Sequence, residues 1–182
     1  MKTGLFLSVA AAMSLAACSS VTGGSDMARG PMEPGASGDM TPNQAMSYVA
    51  MAGASDMYEI QSSQLHHQRG QSPALHRFAQ MMIDHHTQTT AATMAAARAA
   101  GMNPPPPELM PMQRAMIARL QGLNGAAFDR EYRTQQITAH RMALNLHSNY
   151  ASSGDTPSLK TSASSAVPIV QQHLTEIQGM TL

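Results

Sequence analysis

The chain has 182 residues, with 11 Lys and Arg against 11 Asp and Glu and a formal net charge of zero. That leaves no basic surplus for holding a phosphate backbone and excludes nucleic acid as a partner class. Aromatic residues make up only 4%, Trp is absent, and Ala with 17 Met carries the apolar content, a balance that favours helices over sheets.

In chain order, Lys2 supplies a positive n-region and Leu5 to Leu15 an apolar h-region. Leu15-Ala16-Ala17-Cys18 then places small residues directly before a cysteine, the layout of a cleavable secretory signal over residues 1–17. The apolar run falls short of the roughly 20 residues a membrane span needs. Cys18 is the single cysteine of the chain and stands where a lipoprotein signal peptidase cuts, so it is read as the lipidated residue. In the bacterial lipoprotein pattern it carries a diacylglyceryl thioether and an N-acyl chain such as palmitate. At about 0.8 kcal/mol per buried CH₂, several acyl chains make the attachment effectively permanent. Ser19, rather than Asp, follows the cysteine and in that pattern favours the outer membrane, with the domain facing the periplasm. The acylated thiol leaves no disulfide, so stability has to come from packing.

Residues 18–41 are rich in Gly, Pro, Ser and Met (Thr22-Gly23-Gly24-Ser25, Gly30-Pro31, Pro34-Gly35) and read as a flexible tether. Residues 42–182 carry helical start and stop signals. The first helix is expected from Pro42 to Arg69, ending at Gly70. The second opens with Ser72 and Pro73 and stops at Gly101, before the Pro104–Pro107 run. A short helical turn near Glu108 to Gln121 precedes a long helix from Ala126 to Ser152. The last helix starts at Asp155-Thr156-Pro157, and Pro168 inside it is expected to kink it. Four amphipathic helices without strands predict an all-α antiparallel four-helix bundle.

The helical stripes place the chemistry. Leu75, Ala79, Met82 and His86 recur at steps of three and four, as do Phe128, Tyr132, Gln136 and His140, and likewise Ala166, Val170, His173 and Ile177. Three helices thus each turn a histidine towards the core, and a carboxylate from the first helix, Glu59 or Asp56, can join them. Imidazole suits Fe, Zn and Cu, and facing helices of a bundle are a common frame for such ligands. Of the 17 Met, Met81 and Met82 stand four residues before His85 and His86, and soft thioethers select Cu(I), but Met is also a common core filler and Met27, Met32 and Met40 of the tether follow no ligand spacing. His66, His67 and His85 read as solvated or capping. The chain has no Glu-x-x-His, the motif of di-iron bundles, and its nearest element is the reversed His173-x-x-Glu176. It also lacks a nucleophile motif, a phosphate loop and a paired metal-cysteine motif.

Several segments resemble the bacterial envelope family catalogued as domain of unknown function 4142. Phe78-Ala79-Gln80-Met81-Met82-Ile83-Asp84-His85-His86-Thr87 is similar to its FAQRMVDDHT segment. Gly125-Ala126-Ala127-Phe128-Asp129-Arg130-Glu131-Tyr132, followed by Gln136 and His140, is similar to its GAAFDRAY segment. Val167-Pro168 through His173-Leu174 resembles its LPTLREHL ending, and Met57-Tyr58-Glu59-Ile60 its acidic motif in the first helix. The match as a whole covers about Asn43 to Gln178. The resemblance implies a ferritin-like bundle of no established activity and carries over Glu59, Asp84, His86, Asp129, Tyr132, His140 and His173 as polar positions. His85 departs from the pattern, which has Asp there, and tilts the site away from hard metals. Met82-Ile83-Asp84-His85-His86 also echoes the Met- and His-rich domain of unknown function 305, whose later motifs fit less well.

The expected function is that of a lipid-anchored envelope protein whose bundle binds a metal ion or a periplasmic protein partner in stress response. Glu59, His86, His140 and His173 are the candidate ligands, with Asp84, Asp129 and Tyr132 behind them. Two alternatives remain: a metal-dependent redox enzyme using the same residues, and a purely structural bundle whose polar core fixes helix register.

Overall fold

The computed structural model describes residues 41–182. The signal peptide, Cys18 and the tether through residue 40 lie outside the described residues. Five helices follow: α1 (Ala45–Arg69), α2 (Pro73–Ala99), α3 (Pro111–Gln121), α4 (Gly125–Ser153) and α5 (Pro157–Gly179). Among the described residues there is no strand.

The helix boundaries follow from local chemistry. The Ser72 side chain accepts from the Leu75 N–H, and Pro73 fills the first helical position, where its missing N–H costs nothing. At the other end of α2, Gly101 takes φ 77°, a conformation that any residue with a Cβ resists. The proline run then keeps the chain extended until α3. α5 continues through Pro168, which lies inside it.

Hydrogen bonds between helices give their directions. His66 meets Asp129 and Tyr48 meets His147, so α1 and α4 are antiparallel. His85 meets His173 and Thr93 meets Ser162, so α2 and α5 are antiparallel. Short turns make α1–α2 and α4–α5 antiparallel as well. α2 and α4 therefore run the same way, and the chain must return along the bundle between them. Residues 100–124 make that single long crossover, and α3 packs on α1 and α4. At Gly53 a Cβ would stand 3.0 Å from Pro107 Cγ, so this glycine lets the crossover lie close on α1.

The core is layered. At one end Leu75, Phe78, Met82, Phe128, Leu174 and Ile177 cluster. At the other, Tyr48, Val49, Ala97, Tyr150, Leu159 and Ala163 do, with the Tyr48 and Tyr150 rings stacked 3.9 Å apart. Between these two apolar clusters in sequence lies a buried polar set: Asp56 and Glu59 from α1, His86 from α2, Gln136 and His140 from α4, and His173 from α5. Burying six polar side chains is costly unless each finds a partner, so their remaining valences need accounting.

Candidate metal centre

His86, His140 and His173 are buried, and each offers a ligand nitrogen within 4.8 Å of the other two. Their rings form a nearly equilateral triangle, with centroids 5.6, 5.4 and 5.4 Å apart. Phe78 sits against two of them, 6.1 Å from His140 and 6.5 Å from His173, and gives the site an apolar wall.

Each histidine is oriented by one ring nitrogen and leaves the other free. His86 Nδ1 lies 2.8 Å from Asp56 Oδ1, whose Oδ2 in turn accepts from Thr89 and Thr90 at 3.0 and 2.9 Å. His140 Nδ1 lies 2.9 Å from the Gln136 carbonyl, which can only accept, so this ring is protonated at Nδ1 and keeps its lone pair on Nε2. His173 Nε2 lies 2.8 Å from His85 Nδ1. When His173 is the donor there, its lone pair is on Nδ1. His86 Nε2, His140 Nε2 and His173 Nδ1 are buried and have no partner among the described residues. Three buried nitrogens without partners on rings that converge make up a ligand set for a cation, and imidazole suits Zn, Cu, Fe and Ni.

The electrostatics favour ligation. Burial, then the charge of His86, push His140 down to about 3, against the pull of the Gln136 carbonyl. Burial and the three neighbouring histidines push His173 down to about 2. Both rings are thus neutral near pH 7, the form in which histidine ligates. His86 is held above its ordinary value: burial works against its charge, but the Asp56 hydrogen bond and the charges of Asp56 and Glu59 outweigh it. A cation held at Nε2 would stand in place of that proton.

The expected carboxylate ligand is placed differently. Glu59 Oε1 lies 3.5 Å from His140 Nδ1, the ring's occupied side, and Glu59 is not in the converging set. Apart from that long contact, neither of its oxygens makes a well-formed hydrogen bond among the described residues. Burial pushes it up to about 7, although the His86 charge and the Gln136 amide pull it down. The alternative α1 carboxylate, Asp56, is the one that orients a histidine.

Three further expected residues stand away from the triad's contacts. Asp84 is exposed and accepts from Gln80 at 3.0 Å. Asp129 holds the α1–α2 turn, accepting from the Gln71 and Ser72 N–H at 3.2 and 3.0 Å and facing His66 Nε2 at 2.9 Å. Tyr132 shares a 2.7 Å hydrogen bond with Ser63. Both lie towards the start of α4, two to three turns before His140, while Asp84 points off the apolar face of α2. Two histidines read as solvated or capping have buried or half-buried partners instead of an open surface. His66 is fully buried in the Asp129 pair, and His85 is half-buried on His173, its ring stacked at 5.0 Å. The register of α1 carried a signal for His66, which follows Asp56, Glu59 and Ser63 at steps of three and four. His85 lies about 100° around α2 from His86 and is reached only because α5 packs on that flank.

A groove of about 590 Å³ runs between α2 and α5, lined in part by His85, Thr89, Thr93, Ser162 and Ala166. It touches the residues that hold two of the triad histidines, His85 on His173 and Thr89 on Asp56.

A family model described as Domain of unknown function (DUF4142) matches residues 30–180. Among curated proteins none matches the chain. Two solved structures share the fold: CopM in the Cu(II)-bound form and CopM in the Ag-bound form. Each has a TM-score of 0.61 and covers 74% of this chain and 93% of its own, at 16% and 17% identity. At that identity the likeness is one of fold alone.

Proposed function

We propose, from the premise that this chain belongs to the DUF4142 family, that it is a metal-binding protein of the cell envelope. Its buried triad of His86, His140 and His173 holds a copper-type ion. One observation carries the reading: three buried ring nitrogens without partners, on rings that converge, where each unmade hydrogen bond costs about 1–3 kcal/mol. A cation shared by the three lone pairs removes that cost at once. The choice of copper rests on the donor set and on the neighbours of like fold, which were solved with Cu(II) and with Ag. Asp56, the Gln136 carbonyl and His85 orient the three rings, as outer partners do at metal sites. The groove between α2 and α5 brings solvent to His85 and serves as the approach. Lipidation at Cys18 would put the site on a membrane surface facing the periplasm; what supports it is the apolar leader that ends in the chain's single cysteine.

Elemental analysis after dialysis against Cu(II), Ag(I) or Zn(II) tests the site. Wild type should retain a copper or silver equivalent that His140→Ala and His173→Gln both lose, while circular dichroism shows each variant folded. Retention of the full metal content in both variants would sink the triad. For the anchor, a Cys18→Ser precursor should take up no labelled palmitate, and labelling of that variant would disprove lipidation at Cys18.

A further inference from the structure

The turn between α1 and α2 gathers a second group of histidines. His67 ends α1 and His76 lies in the first turns of α2, and their Nδ1 atoms face each other at 3.2 Å. The two rings stack at 18°, with centroids 5.3 Å apart. Two imidazole nitrogens on one ion, each at about 2.0–2.1 Å from it, stand roughly 3 Å apart. The observed separation is that of two ligands on a shared metal.

The pair is held in place from behind. His66 meets His76 edge-on at 4.7 Å and 81°, so His76 is caught between two rings. His66 is fixed by Asp129, which also binds the backbone of Gln71 and Ser72 in the turn itself. The two helix ends are therefore locked together, and the nitrogens do not depend on long flexible side chains to meet. His67 is exposed and His76 half-buried, so an ion reaches them directly from solvent, and water completes its coordination. His66 Nδ1 is buried without a partner among the described residues, but His66 does not join the pair in a set of three mutually close ligand atoms.

We propose that His67 and His76 form a second, solvent-facing metal site for a borderline divalent transition ion, with Cu(II) bound most tightly and Zn(II) or Ni(II) less so. His66 acts as a positioning residue for His76. Without metal the two Nδ1 atoms share a proton. The ion takes its place once the donor ring moves that proton to its own Nε2. His76 and His86 are separated along α2 by about 15 Å of helical rise, so this ion is distinct from one in the buried triad. The surface site stands on its own geometry and does not require the triad to be occupied.

The experiment uses the full chain, with Cu(II) and then Zn(II) as probes in equilibrium dialysis followed by elemental analysis. Wild type is compared with the double variant His67→Gln/His76→Gln and with His140→Ala. The double variant should lose one Cu(II) per chain, keep the equivalent sensitive to His140→Ala, and melt within a few degrees of wild type without metal. With ¹⁵N-labelled protein, Zn(II) should shift the Nδ1 resonances of His67 and His76 together, in wild type and in His140→Ala alike. Unchanged stoichiometry in the double variant, or no joint shift, would overturn the surface site. An unchanged His140→Ala result would instead overturn the triad and leave the surface site standing.

Discussion

Two buried histidine–aspartate pairs lie in the same bundle, His86 with Asp56 in the middle and His66 with Asp129 at the α1–α2 end. Their distances are nearly identical, 2.8 and 2.9 Å, yet their surroundings make them different objects. Asp129 spends its remaining capacity on backbone N–H groups of a turn, and its histidine lies among aromatic rings, 5.6 Å from Phe128 and 4.9 Å from Tyr132. Asp56 spends its second oxygen on two threonine hydroxyls of α2, and its histidine turns a free nitrogen towards two others. The pair alone does not mark a site. What distinguishes scaffold from site is whether the valences left over are absorbed by backbone or converge on one another.

The sharpest way to break this contrast is Asp129→Ala. It leaves the neutral His66 and the N–H groups of Gln71 and Ser72 without their acceptor, and each buried donor left unpaired costs about 1–3 kcal/mol. Urea denaturation should show that loss, while the folded fraction keeps its full triad metal. A fall in triad metal per folded chain would show that Asp129 belongs to the site after all. Asp56→Asn should do the reverse. The amide retains the shape, but the histidine loses its anionic partner, so competition against a chelator should read about 10–100-fold weaker metal binding. A change under threefold would place Asp56 with the scaffold.

Much of this was legible in the sequence, for physical reasons. Ser72-Pro73 and Gly101 fix their helix ends by capping and backbone conformation, and the three- and four-residue stripes put His86, His140 and His173 on the core faces of three helices. The stripes say nothing about depth or about which side of a ring is occupied. Glu59 and Asp56 therefore looked equivalent from α1, and only packing puts Asp56 on His86 Nδ1 and Glu59 beside the wrong nitrogen of His140. Asp129 and Tyr132 share the stripe of His140, but they sit two to three turns away along α4. His85 and the His67–His76 contact depend on which helix lies alongside, information that no single helix contains.

The two pairs should also separate by pH. Burial pushes His66 down to about 4, despite the pull of Asp129, so it stays neutral in the fold while the unfolded chain gains a proton below about 6.5. The unfolded state then binds more protons, and stability falls as pH drops from about 6.5 towards 4. His86 has the opposite sign. Its raised value gives a contribution fully present below about 6.5 and lost as pH climbs past its folded value. Histidine ring resonances of the metal-free protein followed from pH 3 to 9 should show His86 titrating above 6.5 and His66 near 4. The same order for both rings would erase the distinction.

Glu59 offers the finest probe of the site. It is buried without a well-formed hydrogen bond among the described residues and pushed up to about 7, chiefly by that burial. A carboxyl raised in this way costs stability as pH rises from about 4.5 through 7, because the fold resists the ionised form. Glu59→Gln removes that cost, so the metal-free variant should gain on the order of 2 kcal/mol on wild type between pH 5 and pH 8. A cation in the triad would draw the carboxyl back towards ionisation, since an opposite charge nearby favours the charged form. The pH-dependent gain should therefore shrink when copper is bound. If it persists at full size with metal present, Glu59 does not feel the ion, and the triad is not where the copper sits.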